Sequence, residues 1–521
     1  MSQLISLLES VLPYDVIHTD TALIRRLSQD VFSDGVEVGA VVKPVSESQV
    51  LALVQLCKTE SIPLIGRGGG MSYTSGYLAT KPDSVLIDTS NMNRILEINT
   101  VDATVTVEPG VTWETLHKAL AEKNLRTPFW GTLSGRYATV GGGLSQNGVF
   151  WGSGYHGSAG DNVLSLRVVT GRGEVIETGS ASQRNSTAFS TYFGPDLTGL
   201  FVGDGGAYGI KVSATLPLLP AAEAKSFTAF AFDNSDDMTL AMSEISRRAL
   251  ASECFGFDPY LQKQRMKRAS LTEDVQQLGG VIKAEKTLIG KVKQATKVAV
   301  AGRSFMDDVA WSFSTISEGR TQAEADVQAA EIRSICKRYK GHELPDSIPR
   351  LVSANPFGPV NNMVGPEGER WLPVHALLPH SKAQLGIECI ESVFKAHEAT
   401  MQNFSIHTGY LITTVGQQVS LLEPVLFWPD ELNDLHKHSL EPDHLARLNQ
   451  FDAVPGAFEA ITEIKGALLL ALSDLGSAHF QLGKAYLYQE GLKPEAAAVL
   501  NLLKAHFDPQ GIMNPGVLGF N

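Results

Sequence analysis

IGRGGGMSYTSG, residues 65–76, places Gly66, Gly68, Gly69 and Gly70 directly after a short apolar run. Glycines let backbone N–H groups surround a phosphate where side chains would obstruct them. The stretch does not match the G-x-x-x-x-G-K-[ST] loop, and no helix clearly opens from it as in the G-x-G-x-x-G turn. It therefore predicts a phosphate contact without identifying the nucleotide.

The residues before this loop read as a strand, a helix and a second strand. In AVVKPVSESQVLALVQLCKTESIPLIGRGGG, residues 40–70, Ser46 and Gln49 fit a capping box that begins the helix. Apolar residues at helical spacing mark one buried face, namely Val50, Leu53, Val54 and Cys57. We predict a βαβ unit that ends in the glycines.

Two further glycine-rich stretches follow downstream. TVGGGLSQNGVFWGSGYHGSAGDN, residues 139–162, precedes two strand-like runs that read as a hairpin closed at 171–173. FVGDGGAYGIKV, residues 201–212, supplies the third stretch. Three flexible backbone surfaces in one domain suit an elongated dinucleotide.

At 521 residues the chain is too long for one ordinary core, so we expect two domains. Glycine density falls near residue 220, where we place the boundary. Beyond it, amphipathic helices alternate with strand-like segments at 405–416 and 418–428. The last helix is predicted to bury one face, formed by Ala496, Val499, Leu500 and Leu503.

Composition excludes several classes of partner. The net charge of −13 argues against binding to nucleic acid or to an anionic membrane. The four cysteines form no C-x-x-C pair, which indicates free thiols rather than disulfides or a zinc site. No secretory signal or apolar stretch of about 20 residues is present, so a soluble cytoplasmic protein is expected.

Together these motifs resemble the FAD-binding domain of the vanillyl-alcohol oxidase and p-cresol methylhydroxylase superfamily. The glycine-rich stretches occur in that order, and FDPQGIMNPGVLGF, residues 507–520, resembles its closing turn. The resemblance implies an α+β fold with an FAD domain at 1–220, completed by 485–521. It also implies a cap domain at 221–484, built on an antiparallel sheet, that covers the flavin.

The resemblance also implies the cofactor contacts. Residues expected to contact FAD are Arg67, Gly68, Gly69, Gly70, Met71, Ser72, Gly76, Gly141, Gly142, Gly143, Ser145, Asn147, Gly148, Gly209, Ile210 and Asn514. Many relatives carry a histidine at the place of Met71 and bond it covalently to the flavin. Methionine cannot form that bond, and the cap stretch 419–428 offers neither histidine nor tyrosine. We therefore expect noncovalent FAD.

The cap must supply the group that takes a proton from the substrate. The candidates we favour are His479, Tyr410, Glu423 and Gln481. Glu423 stands in an otherwise apolar run, where a carboxylate is either paired, faces a cavity or lies on an edge strand. His375, His407, Trp428, Lys484 and Tyr486 are further candidates, and Arg370 either binds a carboxylate or pairs on the surface.

Substrate class stays open between two branches of the superfamily. The hydroxyacid branch typically carries H-x-G-D-G-N-x-H and a later E-H pair that hold a metal, and neither motif is present, so no metal is expected. The phenol-oxidising branch usually carries E-Y-R-x-[HN], which GSAHFQLGK replaces here. We favour oxidation of an aromatic alcohol or phenol at a hydroxyl-bearing or benzylic carbon.

Two alternatives to this activity are kept. One is a D-lactate- or glycolate-type dehydrogenase, and the other is a noncatalytic flavin-binding protein. Oxygen, a quinone or a cytochrome are all compatible electron acceptors, and homodimers are common in the superfamily.

Overall fold

The computed structural model describes residues 2–258, 261 and 311–520. Helices and antiparallel sheets are mixed along the chain, which confirms the predicted α+β class. The described strands are β1 (Ile17–His18), β2 (Ala40–Val42), β3 (Leu64–Arg67), β4 (Val85–Asp88), β5 (Ile95–Asn99), β6 (Thr104–Val107), β7 (Leu125–Arg126), β8 (Ser165–Thr170), β9 (Val175–Glu177), β10 (Gly209–Pro217), β11 (Leu219–Pro220), β12 (Ala224–Phe232), β13 (Glu253–Phe257), β14 (Trp311–Gly319), β15 (His342–Glu343), β16 (Arg370–Pro373), β17 (Ala376–Pro379), β18 (His407–Val415) and β19 (Val419–Trp428).

The described α-helices lie between and after these strands. They are α1 (Ser2–Glu9), α2 (Thr21–Leu27), α3 (Glu47–Glu60), α4 (Trp113–Ala121), α5 (Val140–Ser145), α6 (Ser153–His156), α7 (Ser235–Arg247), α8 (Gln322–Arg338), α9 (Ser347–Ala354), α10 (Ala383–Ala396), α11 (Glu398–Asn403), α12 (Asp434–Ser439), α13 (Pro442–Leu445), α14 (Ala457–Asp474), α15 (Tyr488–Gly491) and α16 (Pro494–Phe507).

The predicted βαβ unit supplies two strands, β2 and β3, of a four-stranded sheet of order β1-β2-β4-β3. Strands β2, β4 and β3 are parallel, and α3 connects β2 to β3. The Ser46 hydroxyl accepts the N–H of Gln49 at 3.4 Å, while the Gln49 side chain accepts the N–H of Val45. All four predicted core residues of α3 are fully buried. The first glycine loop therefore begins at the carboxyl end of a buried parallel strand.

A five-stranded antiparallel sheet of order β5-β6-β10-β8-β9 lies next in the chain. The predicted hairpin is present as β8 and β9. The third glycine-rich stretch leads directly into β10, which pairs with both β6 and β8. This sheet therefore holds the third glycine stretch at one end of its central strand.

An eight-stranded antiparallel sheet is built from β12 onward, in the order β15-β12-β14-β13-β18-β19-β16, with β17 also paired to β19. Strands β18 and β19 confirm the strands expected at 405–416 and 418–428. Because β10 and β12 belong to different sheets, we propose the domain boundary near residue 220.

The buried face of the carboxyl-terminal helix α16 matches the expected one only in part. Lys504 and Phe507 are its buried residues, whereas Val499 is 56% exposed. Leu500 and Leu503 pack partly buried against the core as predicted, whereas Ala496 and Val499 are exposed, so only part of the predicted apolar face is buried. Polar bonds hold the helix end, since the Lys504 ammonium donates to Asp508, to the carbonyl of Ala207 and to the carbonyl of Met513 at 2.7–2.9 Å.

Replacing Lys504 with methionine is expected to lower stability. The change leaves the Asp508 carboxylate buried without its cation, and removing one partner of a buried pair costs about 3–5 kcal/mol. Thermal unfolding should show a lower midpoint. A Lys504→Met midpoint equal to that of the unaltered protein would contradict this assignment of the ammonium.

Within the part of the chain that the structure describes, no helix is long and apolar enough to cross a membrane. All four cysteines are free, and three of them are buried.

Candidate active site

A large cleft lies between the glycine-rich stretches and the eight-stranded sheet. It holds about 1670 Å³ of space, part of it open to solvent. All the residues expected to contact FAD line this cleft except Asn147 and Asn514. The fold therefore brings together three glycine stretches that lie up to about 140 residues apart in the sequence.

The glycines of the first loop have no room for side chains. A Cβ atom on Gly69 would lie 2.0 Å from the carbonyl oxygen of Tyr137, and one on Gly68 would lie 2.4 Å from the Thr139 hydroxyl. Gly70 has φ of +69°, a left-handed conformation that favours glycine. The loop is thus held close to residues 137–142, with its backbone lining the cleft.

Two buried polar atoms at the cleft suit a polar ligand. Nε of Arg67 and Oε1 of Gln146 have no hydrogen-bond partner among the described residues. Both residues line the cleft, and Arg67 is only 8% exposed. An unpaired buried polar atom is costly, so a ligand with phosphate and amide groups would satisfy them. The cleft fits an FAD molecule laid across the three glycine stretches.

Asn147 and Asn514 hold the cleft together from outside its lining. The Asn514 amide donates to the carbonyls of Gly76 and Gly205, each at 2.7 Å, and so joins the first and third glycine stretches. Asn147 accepts the N–H of Gly160 at 2.9 Å. Their expected direct contact with the cofactor stays a prediction, and their observed bonds shape the loops.

Strand alternation decides which cap residues face the cleft. Leu411 and Thr413 of β18 line it, as do Leu421 and Glu423 of β19, which lie opposite them in register. Glu423 lies on a strand with neighbours on both sides, so the expectation of an edge position is wrong. Its carboxylate is at the cleft wall.

Tyr410 lies on the other face of the same sheet. Its hydroxyl donates to the Glu391 carboxylate at 2.7 Å, and Glu391 belongs to α10 behind the sheet. Successive side chains of a strand point to opposite faces, so Tyr410 is turned away while Leu411 faces the cleft. The structure therefore does not bring Tyr410 to the site.

A hydrogen-bonded group of aromatic residues lies beside Glu423. The Tyr73 hydroxyl makes a short hydrogen bond with Nε2 of His375, which lies 3.4 Å from a Glu423 oxygen. Nδ1 of His375 lies 3.0 Å from the hydroxyl of Tyr486. Burial lowers the pKa of His375 to about 3, so the ring is neutral at physiological pH.

His479 lies behind this group and does not line the cleft. Its Nδ1 atom donates to the backbone carbonyl of His375 at 2.6 Å, and its ring packs 4.5 Å from that of Tyr486. Burial lowers its pKa. The neighbouring residues Phe480 and Gln481 do line the cleft, and the Gln481 amide donates to the Tyr73 hydroxyl at 3.3 Å.

The remaining cap candidates have structural contacts. Arg370 is buried and donates to the carbonyls of Val31, Phe32 and Glu431, so both expectations for it are wrong. Lys484 donates to the carbonyl of Leu78, and Trp428 donates to Asp430. Neither these residues nor His407 line the cleft. Among the described residues, no group of three His, Cys, Asp or Glu side chains could hold a metal ion.

Tyr73 and Trp371 are cleft residues that the sequence analysis missed. Their rings meet edge to face at 5.3 Å. Tyr73 belongs to the first glycine loop, whereas the substrate-contacting residues were expected in the cap. The signal available in the sequence was a large phenol side chain inside a loop rich in glycine and serine.

Comparisons with known proteins agree with this cleft. A family model for the FAD binding domain matches residues 38–179, and one for the C-terminal domain of FAD linked oxidases matches 482–518. The chain is 30% identical over 206 residues to glycolate oxidase subunit GlcD of Bacillus subtilis, covering 40% of this chain and 42% of that protein. It is 32% identical over 219 residues to the mitochondrial D-lactate dehydrogenase [cytochrome] of Arabidopsis thaliana, covering 42% and 36%. The chain thus spans less than half the length of these curated relatives.

Solved structures resemble the whole fold. The 4-ethylphenol oxidase from Gulosibacter chungangensis superposes with a TM-score of 0.73 at 18% identity, covering 100% of this chain and 97% of that one. The substrate-bound p-cresol methylhydroxylase gives 0.74 at 17% identity with the same coverage. The chain therefore carries an FAD binding domain and a C-terminal domain of FAD linked oxidases, in a fold shared with p-cresol methylhydroxylase and 4-ethylphenol oxidase.

Proposed function

We propose that this FAD-linked oxidoreductase removes hydride from an uncharged, largely apolar alcohol or alkylphenol, at a hydroxyl-bearing or benzylic carbon. The main observation behind this proposal is the set of residues that line the cleft on its cap side. Its walls are apolar or aromatic, formed by Val360, Met363, Trp371, Leu411, Leu421 and Phe480. The polar side chains among the cap residues of the lining are Asn362, Thr413, Glu423 and Gln481.

The charged side chains that line the cleft favour an uncharged substrate over an anionic one. The cations among its described lining residues are Arg67 and Lys211. Lys211 forms a buried ion pair with Asp204 at 2.6 Å, and Arg67 belongs to the glycine loop. A substrate carboxylate near Glu423 would therefore find no described cation within the cap wall to pair with.

In the proposed oxidation, the cofactor and the residues of the cleft each have a separate role. Bound FAD supplies a two-electron acceptor for the hydride that leaves the substrate carbon. Glu423 takes the hydroxyl proton as that carbon is oxidised. Trp371 and Phe480 line the same cleft and would limit the access of water to a bound substrate. Oxygen, a quinone or a cytochrome would serve as the final electron acceptor.

A second candidate, oxidation of a small 2-hydroxyacid, is favoured by the similarity to the glycolate and D-lactate enzymes. That similarity covers about two fifths of this chain. Anaerobic addition of vanillyl alcohol, 4-ethylphenol, D-lactate and glycolate separates the candidates. Bleaching of the flavin by the first two alone supports our proposal, and bleaching by a hydroxyacid alone overturns it in favour of the second.

We also propose that the FAD is bound without a covalent link. Met71 lines the cleft and packs against the apolar core of the cap, and a thioether does not attack the flavin methyl group. Acid precipitation should therefore release the cofactor into a yellow supernatant. A yellow pellet would contradict this expectation. The Met71→His protein is the matched comparison, because it restores the residue with which many relatives form the bond.

A further inference from the structure

Glu253 of the cap sheet is hydrogen-bonded to the second glycine-rich stretch, residues 139–162. The backbone N–H of Gly152 donates to its carboxyl group, with both oxygens 3.1 Å from the nitrogen. Gly152 has φ of +84°, and a Cβ atom there would lie 2.0 Å from the carbonyl oxygen of Pro128. Glycine is therefore favoured at the residue whose N–H group meets Glu253.

This contact comes directly after the part of the stretch that lines the cleft. Residues 148–150 line the cleft, and Gly152 follows them. The N–H of Gly154 donates to the carbonyl of Ser252, the residue before Glu253, at 2.9 Å. The cap thus holds the second glycine stretch at two successive points, and a shift of either one displaces the cleft wall.

Glu253 lies on the face of the cap sheet that borders the cleft. Phe255 and Phe257 share this face of β13, and they lie opposite Thr413 and Leu411 of β18, which line the cleft. Glu253 is only 4% exposed. Because burying an ionised carboxylate without a cation is costly, its charged neighbours decide which form it takes.

A second buried glutamate, Glu318 of β14, has the cations of this region. The strand register pairs Glu253 with Ile316, so the two glutamates are diagonal neighbours on one face, about 7–8 Å apart between Cα atoms. Glu318 forms ion pairs with Arg126 at 2.5 Å and with Lys225 at 3.7 Å. No cation among the residues with described positions forms an ion pair with Glu253.

These surroundings favour the neutral form of the Glu253 carboxyl. Burial, followed by the negative charge of Glu318, raises its pKa from the usual 4.5 to about 8. The other titratable groups facing this pair are Tyr155, His117 and His156. Burial raises the pKa of Tyr155 and lowers that of each histidine to about 4, so none of the three changes charge between about pH 6 and about pH 9.

We infer that Glu253 is a positioning residue of the FAD site, which as a neutral carboxyl holds the second glycine stretch against the cap, and that its ionisation weakens FAD binding. Once ionised, Glu253 is a buried negative charge beside Glu318 without a cation of its own, and such a charge is strongly destabilising. The glycine stretch must then move to admit water to the carboxylate. The effect acts on the cofactor, so it is the same for every donor that reduces the flavin.

The direction of the pH effect follows from the two states of this contact. In the closed contact the pKa of Glu253 is raised, whereas a carboxyl open to water ionises near its usual 4.5. The closed contact is therefore fully stabilised by this group below about pH 4.5, and that stabilisation is lost as pH rises through about 8. FAD affinity should fall over this range and then stay level.

The test is FAD release from the purified holoprotein, measured by serial dilution and the fluorescence of free FAD between about pH 6 and about pH 9. The matched variant is Glu253→Gln, which has nearly the same shape, accepts the Gly152 N–H through its amide oxygen and cannot ionise. As pH rises from about 6 to about 8, the dissociation constant of the unaltered protein should increase about tenfold relative to that of Glu253→Gln. Above about pH 8 the ratio should level off.

Other variants separate this effect from general damage. Glu391→Gln, on α10 behind the sheet, should keep the pH profile of the unaltered protein. Glu253→Leu removes the acceptor and should weaken FAD binding about tenfold at every pH, the effect of one buried hydrogen bond. Burial lowers the pKa of Lys465 and of Lys484 to about 8, but both lysines are present in each protein, so the ratio of constants excludes their contribution.

Three results would overturn the inference. The same pH dependence of FAD release in the unaltered protein and in Glu253→Gln would mean that Glu253 does not titrate in this contact. Equal FAD affinity in Glu253→Leu and Glu253→Gln would mean that the bond to Gly152 does not hold the site. Failure of Glu253→Gln to retain FAD at any pH would count equally, since glutamine keeps the acceptor. Because no donor is added, the proposed oxidation can fail while the pH effect stands.

Discussion

Replacing Glu423 with glutamine should slow flavin reduction by about 10²–10⁴-fold, the usual effect of losing acid–base catalysis. The glutamine side chain has nearly the same shape as glutamate, so the cleft should keep its form and its cofactor. It cannot take the hydroxyl proton when the substrate is oxidised. Anaerobic stopped-flow reduction at saturating donor, with FAD content measured in parallel, checks the result.

Two controls separate this effect from general damage. Tyr410→Phe removes a hydroxyl that bonds Glu391 outside the cleft, and its rate should stay within about threefold of normal. His479→Gln removes a side chain that contacts a backbone carbonyl, and we expect a loss below about tenfold. If Glu423→Gln reduces as fast as Tyr410→Phe, Glu423 is not the proton acceptor.

The contrast between Glu423 and Tyr410 shows how far the sequence could locate the site. Both residues were expected to take part, and both strands were predicted. Residues 410 and 423 fall on opposite faces because their strands pair in the register Leu411 to Glu423. Successive side chains of a strand point to opposite faces of the sheet. Once one residue was known to face the cleft, this rule could have shown which of the candidates face it too.

Long-range contacts explain the rest of the differences. Arg370 was assigned to a substrate or to the surface, yet it donates to Val31 and Phe32, more than 300 residues away. A hydrogen bond between such distant residues produces no periodic pattern in the sequence from which it could be predicted. The burial of Lys504 on α16 was missed for a similar reason, since its ammonium donates to the carbonyl of Ala207 in a distant segment. Apolar periodicity reports only apolar packing.

The glycine stretches were predictable because their constraint is local. Several of these glycines need a positive φ or leave no space for Cβ, so the residue type itself records the close approach. The resemblance to the FAD-binding family then indicated that all three stretches contact one FAD molecule. Tyr73 was missed because its contacts are with His375 and Gln481, which lie more than 300 residues away in the sequence.

Replacing Gly69 with alanine is expected to weaken FAD binding by about ten- to a hundredfold. The added methyl group would lie 2.0 Å from the carbonyl oxygen of Tyr137, which is backbone and cannot rotate away. The loop must shift toward the cleft, at a cost of about 1–3 kcal/mol, and each 1.4 kcal/mol is a factor of ten in affinity. The measurement is the dissociation constant of FAD from the apoprotein.

Gly466→Ala is the matched control, because the same methyl group there has no atom within 4 Å and adds helix propensity to α14. Its FAD affinity should equal that of the unaltered protein. Thermal unfolding of both apoproteins separates a displaced loop from a misfolded chain, since the first leaves the apoprotein midpoint nearly unchanged. Equal FAD affinity in Gly69→Ala would mean that the backbone of residues 67–70 does not contact the cofactor. The phosphate contact would then have to come from the second and third glycine stretches alone.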